Sequence, residues 1–214
     1  YSKKALDIIG KMQAIKHIES QISDPKLRSK VTPDYTFGCK RVIMSSTLYP
    51  ALGRRNVTLQ DQGITSITPT GIVTGDGQAI DLDVIVYSTG FDFIDGLISY
   101  PVIGRAGKKL HDFWEAYPRA YLGTSVPGFP NLFMITGPNT GIGHTSALFV
   151  IEAQLLYIMK CIHAVKVEPA RSIDVSSDAE AEYTAMIHRE MQQTVWQTGG
   201  CKSWYKSDSG YVVA

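Results

Sequence analysis

The residues best suited to chemistry lie in three short segments. Gly137-Pro138-Asn139-Thr140-Gly141-Ile142-Gly143-His144-Thr145 sits between an apolar run and a helical pattern. The first amides of such a helix lack intrahelical partners, so the helix dipole and the free N–H groups suit an electron-rich acceptor such as a phosphate or a flavin carbonyl. The same segment also reads as an ordinary Gly-rich turn, because it lacks the Gly-Lys-Ser/Thr of a P-loop and the spacing of a GxGxxG fingerprint. Lys40-Arg41 follows Gly38, where a fixed guanidinium could hold one anion and the neighbouring lysine a second. Trp204-Tyr205 follows Gly199-Gly200 and reads either as a flat lid over a ligand or as packing of a terminal tail.

Other chemistries find no support. His17, His111, His144, His163 and His188 form no HxxxH or HxH set, and no Ser lies in GxSxG. Three cysteines, Cys39, Cys161 and Cys201, show no metal-binding spacing and read as reduced thiols of a cytoplasmic protein. With 21 Lys+Arg against 20 Asp+Glu, the net charge of +1 provides no field for nucleic acid. The longest apolar run, within 147–162, is interrupted by Glu152 and Gln154 and falls short of the roughly 20 residues of a membrane span. No signal peptide is recognisable.

The positioning elements follow from periodicity. With 214 residues and 44% hydrophobic content, the chain can bury a real core. Leu6, Ile9, Met12, Ile15, Ile18 and Ile22 recur every three or four residues, which predicts an amphipathic helix over 3–22 ended by Asp24-Pro25. An extended connection over 26–40 then leads into a short strand at 41–44 and a loop holding Tyr49-Pro50. Strand patterns at 57–59, 64–68 and 72–74, the last closed by Gly75-Asp76-Gly77, predict an antiparallel meander. The apolar runs 82–87 and 131–136 read as buried parallel strands, the first leading into Ser88-Thr89-Gly90. Helices are predicted at about 145–163 and about 178–196, the second opened by a capping box at Ser177 and Glu180.

In their joint order these segments resemble the C-terminal portion of class B flavoprotein monooxygenases, the Baeyer-Villiger monooxygenases and their flavin-containing monooxygenase relatives. The resemblance is carried over about 25–205 by Asp24-Pro25-Lys26-Leu27-Arg28, Pro33-Asp34-Tyr35, Phe37-Gly38-Cys39-Lys40-Arg41, Tyr49-Pro50-Ala51-Leu52 and Arg55-Asn56-Val57. It continues through the run 82–91, Phe129-Pro130-Asn131-Leu132-Phe133, Gly137-Pro138-Asn139 and Ser203-Trp204-Tyr205.

The resemblance implies an α/β fold: a partial, Rossmann-like flavoprotein with two dinucleotide-binding domains, lacking the N-terminal FAD and NADPH βαβ units. Residues 1–90 would be the C-terminal part of the NADPH domain, and 91–214 the return to the FAD domain plus a helical C-terminal region. It implies FAD and NADPH as cofactors and a ketone or a soft heteroatom compound as substrate. Arg41 would be the catalytic arginine, Lys40 would meet the NADPH 2′-phosphate, and Ser88, Thr89 and Gly90 would form the turn between domains. Gly137, Pro138, Asn139, Thr145 and Ser146 would lie beside the flavin, and Trp204 over the nicotinamide. The partner would be the N-terminal half of the same protein or a separate chain. Exposed apolar faces could also favour a homo-oligomer. The alternative is a cofactor-free descendant of the fold, an isomerase, lyase or binding protein for a small carbonyl compound.

Overall fold

The structure, a computed structural model, describes residues 6–90, 98, 100–141, 146–168 and 171–213. The chain forms two compact units. One comprises Tyr1–Gly10, Tyr35–Val42 and Asp92–Ala214, the other Lys11–Asp34 and Ile43–Phe91.

The smaller unit is built on a hairpin-linked antiparallel sheet, in the order β1 (Ile64–Thr68), β2 (Gly71–Thr74), β3 (Ala79–Asp81). Ile72 pairs with Ile67 on one side and Ile80 on the other, placing β-branched side chains across the ladder. Any Cβ at position 71 would run into the Ile80 carbonyl, so β2 requires glycine there. The β2–β3 turn is tightened by the Thr74 hydroxyl donating to Asp76, and this bond holds the Asp76 carboxyl below its usual range.

Helix α1 (Met12–Gln21) continues a π-helical stretch, Leu6–Lys11. Ile18 and Ile22 are buried, at one-turn spacing. Asp24 ends this helix and caps the next: its carboxylate accepts the Lys26 amide, and Pro25 occupies the first position of α2 (Pro25–Val31). Tyr49 of α3 (Leu48–Leu52) meets the His17 ring edge-on at 5.7 Å.

The larger unit has its core at Leu110, Ala120, Val126 and Phe129, joined by Val102, Phe113 and Leu132. Its helices are α4 (Leu110–Phe113), α5 (Ala147–Val167), α6 (Ser177–Met191) and α7 (Val195–Thr198). Gln154, buried on α5, organises the loop beside it. Its carbonyl accepts the Thr136 amide at 2.8 Å, and its amide donates to the Gly123 carbonyl at 3.0 Å and to Thr124 Oγ1 at 2.9 Å. Glu180 of α6 is also buried, accepting the Thr184 hydroxyl at 2.7 Å and facing Arg119 at 3.5 Å.

Several expectations are corrected. The runs 41–44, 57–59, 82–87 and 131–136 are not strands, and β3 at 79–81 completes the meander instead. A strand needs a neighbour's backbone groups, and no parallel pair exists among the described residues. Val84 and Val86 are therefore exposed, at 72% and 81%. The stretch expected to be extended after Asp24 begins with α2, and the loop around Tyr49 is the single-turn helix α3. Ser176, not Ser177, caps α6, because its hydroxyl reaches the Ala179 amide, while the Glu180 side chain turns inward to Arg119.

The interruptions at Glu152 and Gln154 do not break α5. At 21 residues it is, by length and composition, apolar enough to cross a membrane. Leu148, Phe149, Leu156 and Met159 leave it a broad exposed apolar face. Nor are all the cysteines reduced: Cys39 and Cys201 form a disulfide across 162 residues, and Cys161 is the buried free thiol. Pairing over that separation depends on tertiary structure, which local spacing cannot report.

Two measurements check this packing. Leu110→Ala removes a side chain that is 2% exposed and is expected to lower stability by about 3 kcal/mol in denaturant unfolding. His188 stacks on Tyr211 at 4.6 Å and meets Tyr117 edge-on at 4.8 Å. Burial, followed by the Arg119 charge, holds its pKa below 6.5, and Glu180 opposes them. Above that pH His188 is neutral in both states; below it the unfolded chain takes the proton first, so stability falls with pH. The thermal midpoint should drop from about pH 7 to about pH 5, and less so in His188→Gln.

Candidate functional site

The candidate residues of the larger unit converge on one stretch of chain, 199–213. Thr36 donates its amide to the Gly199 carbonyl at 3.1 Å, and Cys39 bonds covalently to Cys201. Gly199 is required for this approach, because a Cβ there would lie 2.7 Å from Cys39 Sγ. The Lys40–Arg41 segment is therefore fixed against the chain that carries Trp204. Both basic side chains are exposed, and Lys40 Nζ sits 4.9 Å above the Tyr35 ring.

Tyr205 anchors the second part of this stretch. Only 2% exposed, it stacks on Trp204 at 4.2 Å and tilts against Trp196 at 5.0 Å. Burial pushes its phenol pKa up, and the nearby Arg41 charge opposes that shift. The Cys39–Cys201 bond and the Thr36–Gly199 hydrogen bond thus bring the segment that carries Lys40 and Arg41 to the stretch that carries Trp204 and Tyr205, across 162 residues of sequence. Trp204 itself remains partly exposed, at 38%, and presents an aromatic surface beside the basic segment.

The third part holds the Gly-rich turn. Chain 205–213 folds back on itself, with the Val213 amide donating to the Tyr205 carbonyl at 3.0 Å. Asn139 then receives it: its amide donates to the Val213 carbonyl at 2.9 Å, and its Nδ2 donates to the Val212 carbonyl at 3.1 Å. Asn139 adopts φ +62°, a left-handed conformation that asparagine tolerates better than most residues. Pro138 is buried, and a Cβ on Gly137 would strike the Gly123 carbonyl. Gly137, Pro138 and Asn139 therefore have a packing role of their own.

The remaining candidates are placed differently. Ser146 caps α5, its hydroxyl accepting the Leu148 amide at 3.3 Å. Thr145 lies outside the described residues. Ser88, Thr89 and Gly90 belong to the smaller unit, where all three are exposed and Gly90 has φ +84°. Local motifs missed Cys39, Cys201, Trp196 and Tyr205 as a connected set. One signal was present: the triplet Gly-Cys-Lys occurs twice, at 38–40 and at 200–202.

These groups fit one side of an anionic, flat-ringed cofactor such as NADPH. Two exposed cations stand beside an aromatic face, and the buried Ser203 hydroxyl, next to Trp204, has no hydrogen-bond partner among the described residues. The same residues include no Gly-rich clamp for a flavin diphosphate. Asn139→Ala tests the turn's packing role. It should cost about 1 kcal/mol for the lost bond and about 1 kcal/mol for the left-handed alanine, releasing the tail to limited proteolysis.

No family model matches this sequence. The chain is 45% identical over 192 residues to a Baeyer-Villiger monooxygenase of Pseudomonas aeruginosa, covering 90% of this chain and 36% of the relative. It is 38% identical over 198 residues to a Baeyer-Villiger monooxygenase of Streptomyces coelicolor, covering 92% of this chain and 38% of the relative. Its fold superposes on a crystal structure of OTEMO in complex with FAD and NADP with a TM-score of 0.88 at 29% identity, over 99% of this chain and 40% of that one. In sequence and in fold, the chain corresponds to about two fifths of a Baeyer-Villiger-type flavoprotein monooxygenase, consistent with the C-terminal portion of such a protein.

Proposed function

We propose that this chain is the C-terminal portion of an FAD- and NADPH-dependent monooxygenase that inserts oxygen beside a ketone carbonyl or oxygenates a soft heteroatom. The observation that carries the reading is the joining of the segment that holds Lys40 and Arg41 to the aromatic stretch of Trp204 and Tyr205 by the Cys39–Cys201 bond. In this reading residues 1–90 complete an NADPH domain, and 91–214 complete an FAD domain of Rossmann type together with the helical end of the chain. The N-terminal part of the same protein, or a separate chain, supplies the diphosphate clamps.

FAD reduced by NADPH supplies the oxygen-transfer chemistry when bound. The task of this chain is electrostatic and geometric. Arg41, through its guanidinium, would stabilise negative charge that develops during oxygen transfer. Lys40, a compact charge on a flexible stem, binds the 2′-phosphate that distinguishes NADPH from NADH. Trp204, backed by the buried Tyr205 ring, would cover the nicotinamide and keep water away. The turn 137–139, Thr145 and the N-terminus of α5, capped by Ser146, would lie beside the flavin. Ser88, Thr89 and Gly90 form the turn between the two domains.

The roles of Lys40 and Arg41 separate kinetically in the complete protein. Arg41→Ala should lower kcat for oxygenation by about 100-fold or more, with NADPH binding retained. Lys40→Ala should raise the KM for NADPH about tenfold and leave that for NADH unchanged, the loss of one charge-assisted contact. Product analysis with a cyclic ketone and with an aryl sulfide then assigns the substrate class. Oxygenation at the wild-type rate by Arg41→Ala would rule out the proposed role.

A further inference from the structure

We propose that Cys39 and Cys201 are a redox clasp, a reversible thiol–disulfide pair whose state sets the position of the Lys40–Arg41 segment. The inference rests on the proposed role of that segment and adds a regulatory site to it. Three observations carry it. The bond joins the residue directly before Lys40 to the stretch holding Ser203 and Trp204, across 162 residues of sequence. Each cysteine follows a glycine in the left-handed region, Gly38 at φ +84° and Gly200 at φ +77°, so each sits at a point where the backbone turns with little steric restriction. The two residues also differ in exposure: Cys39 is fully buried, whereas Cys201 is half-buried and is the one a small reagent reaches first.

This asymmetry divides the chemistry between the two sulfurs. In the reduced state the Cys201 thiolate attacks hydrogen peroxide, forming an S–O bond and releasing one oxygen as water once protonated. The Cys39 thiolate then attacks the Cys201 sulfur, forming the S–S bond and expelling the second oxygen as water. The two thiols together lose two electrons and two protons, and the peroxide becomes two waters. A dithiol reverses the change by exchange at Cys201, leaving as its own disulfide with both cysteines protonated.

Non-covalent contacts on either side of the clasp remain after reduction. The Thr36 amide still meets the Gly199 carbonyl, and Tyr205 still packs between Trp196 and Trp204. Reduction removes the covalent link between the basic segment and the aromatic one, and so loosens the first against the second while these contacts keep the unit folded.

The test uses the complete protein after peroxide treatment, after reduction with a phosphine, and as the Cys201→Ser and Cys161→Ser variants. Maleimide labelling under denaturing conditions, read by intact mass, should gain two labels from these cysteines on reduction. NADP+ affinity by fluorescence titration should weaken about tenfold on reduction, the scale expected for a displaced binding group. Protease cleavage within 199–204 should rise with it. Cys201→Ser should match the reduced protein in either medium, and Cys161→Ser should respond like the wild type. Full labelling after peroxide overturns the clasp, as does identical affinity and cleavage in both states. Cleavage that follows the redox state without NADP+ binding in either state would leave the clasp standing and sink the proposed cofactor site instead.

Discussion

The larger unit depends on the way residues 199–213 are tied down at both ends. At one end the Cys39–Cys201 bond and the Thr36–Gly199 hydrogen bond fix the segment that carries Lys40 and Arg41. At the other, the backbone and side chain of Asn139 hold the carbonyls of Val213 and Val212. Between them Tyr205 is buried against two tryptophans. Sequence-distant residues become neighbours only because this terminal stretch spans the distance, and the closing of such long loops is what a covalent link assists most.

The polar interior serves the same end. Buried Gln154 satisfies three groups of the loop 123–136, and that loop in turn seats the Gly137 turn against Gly123. Glu180, buried on α6, faces Arg119, whose guanidinium lies 4.4 Å above the Phe113 ring. His188 on the same helix stacks on Tyr211 of the tail. A buried carboxylate or amide without such partners would be costly, so these contacts fix the helices in register with the tail rather than merely adding stability.

The sequence shows some of this and hides the rest, for physical reasons. The turn Gly75-Asp76-Gly77 and the strands expected at 64–68 and 72–74 are local properties and appear where the pattern puts them, whereas the helix expected over 3–22 starts as a π-helix at Leu6–Lys11 and, of its apolar stripe, buries Ile18 and Ile22 but leaves Ile9 and Met12 exposed. The apolar runs 82–87 and 131–136 carry strand composition, but a strand is a property of a pair, and this chain holds no neighbour for them among the described residues. Val84, Val86, Ile43 and Met44 in the smaller unit and, separately, the outer face of α5 in the larger one are exposed apolar surface of the kind a larger protein covers. The chain spans about two fifths of the length of its relatives, which accords with that surface. Of the candidate site, Lys40, Arg41 and Trp204 were legible as types. The disulfide and the two hydrogen bonds from Asn139 to the tail were not, since each joins residues more than 70 positions apart, and the Tyr205 anchor was not, since its ring contacts with Trp196 and Trp204 follow no helical or strand spacing.

Hydrogen–deuterium exchange of the complete protein with and without NADP+ tests the central claim most directly. The claim is that residues 36–41 and 199–213 form one side of a nicotinamide-cofactor site. Binding should slow exchange in both segments together, with the turn around Asn139 following through its bonds to Val212 and Val213. Protection confined to other parts of the protein, with these segments unchanged, would contradict it.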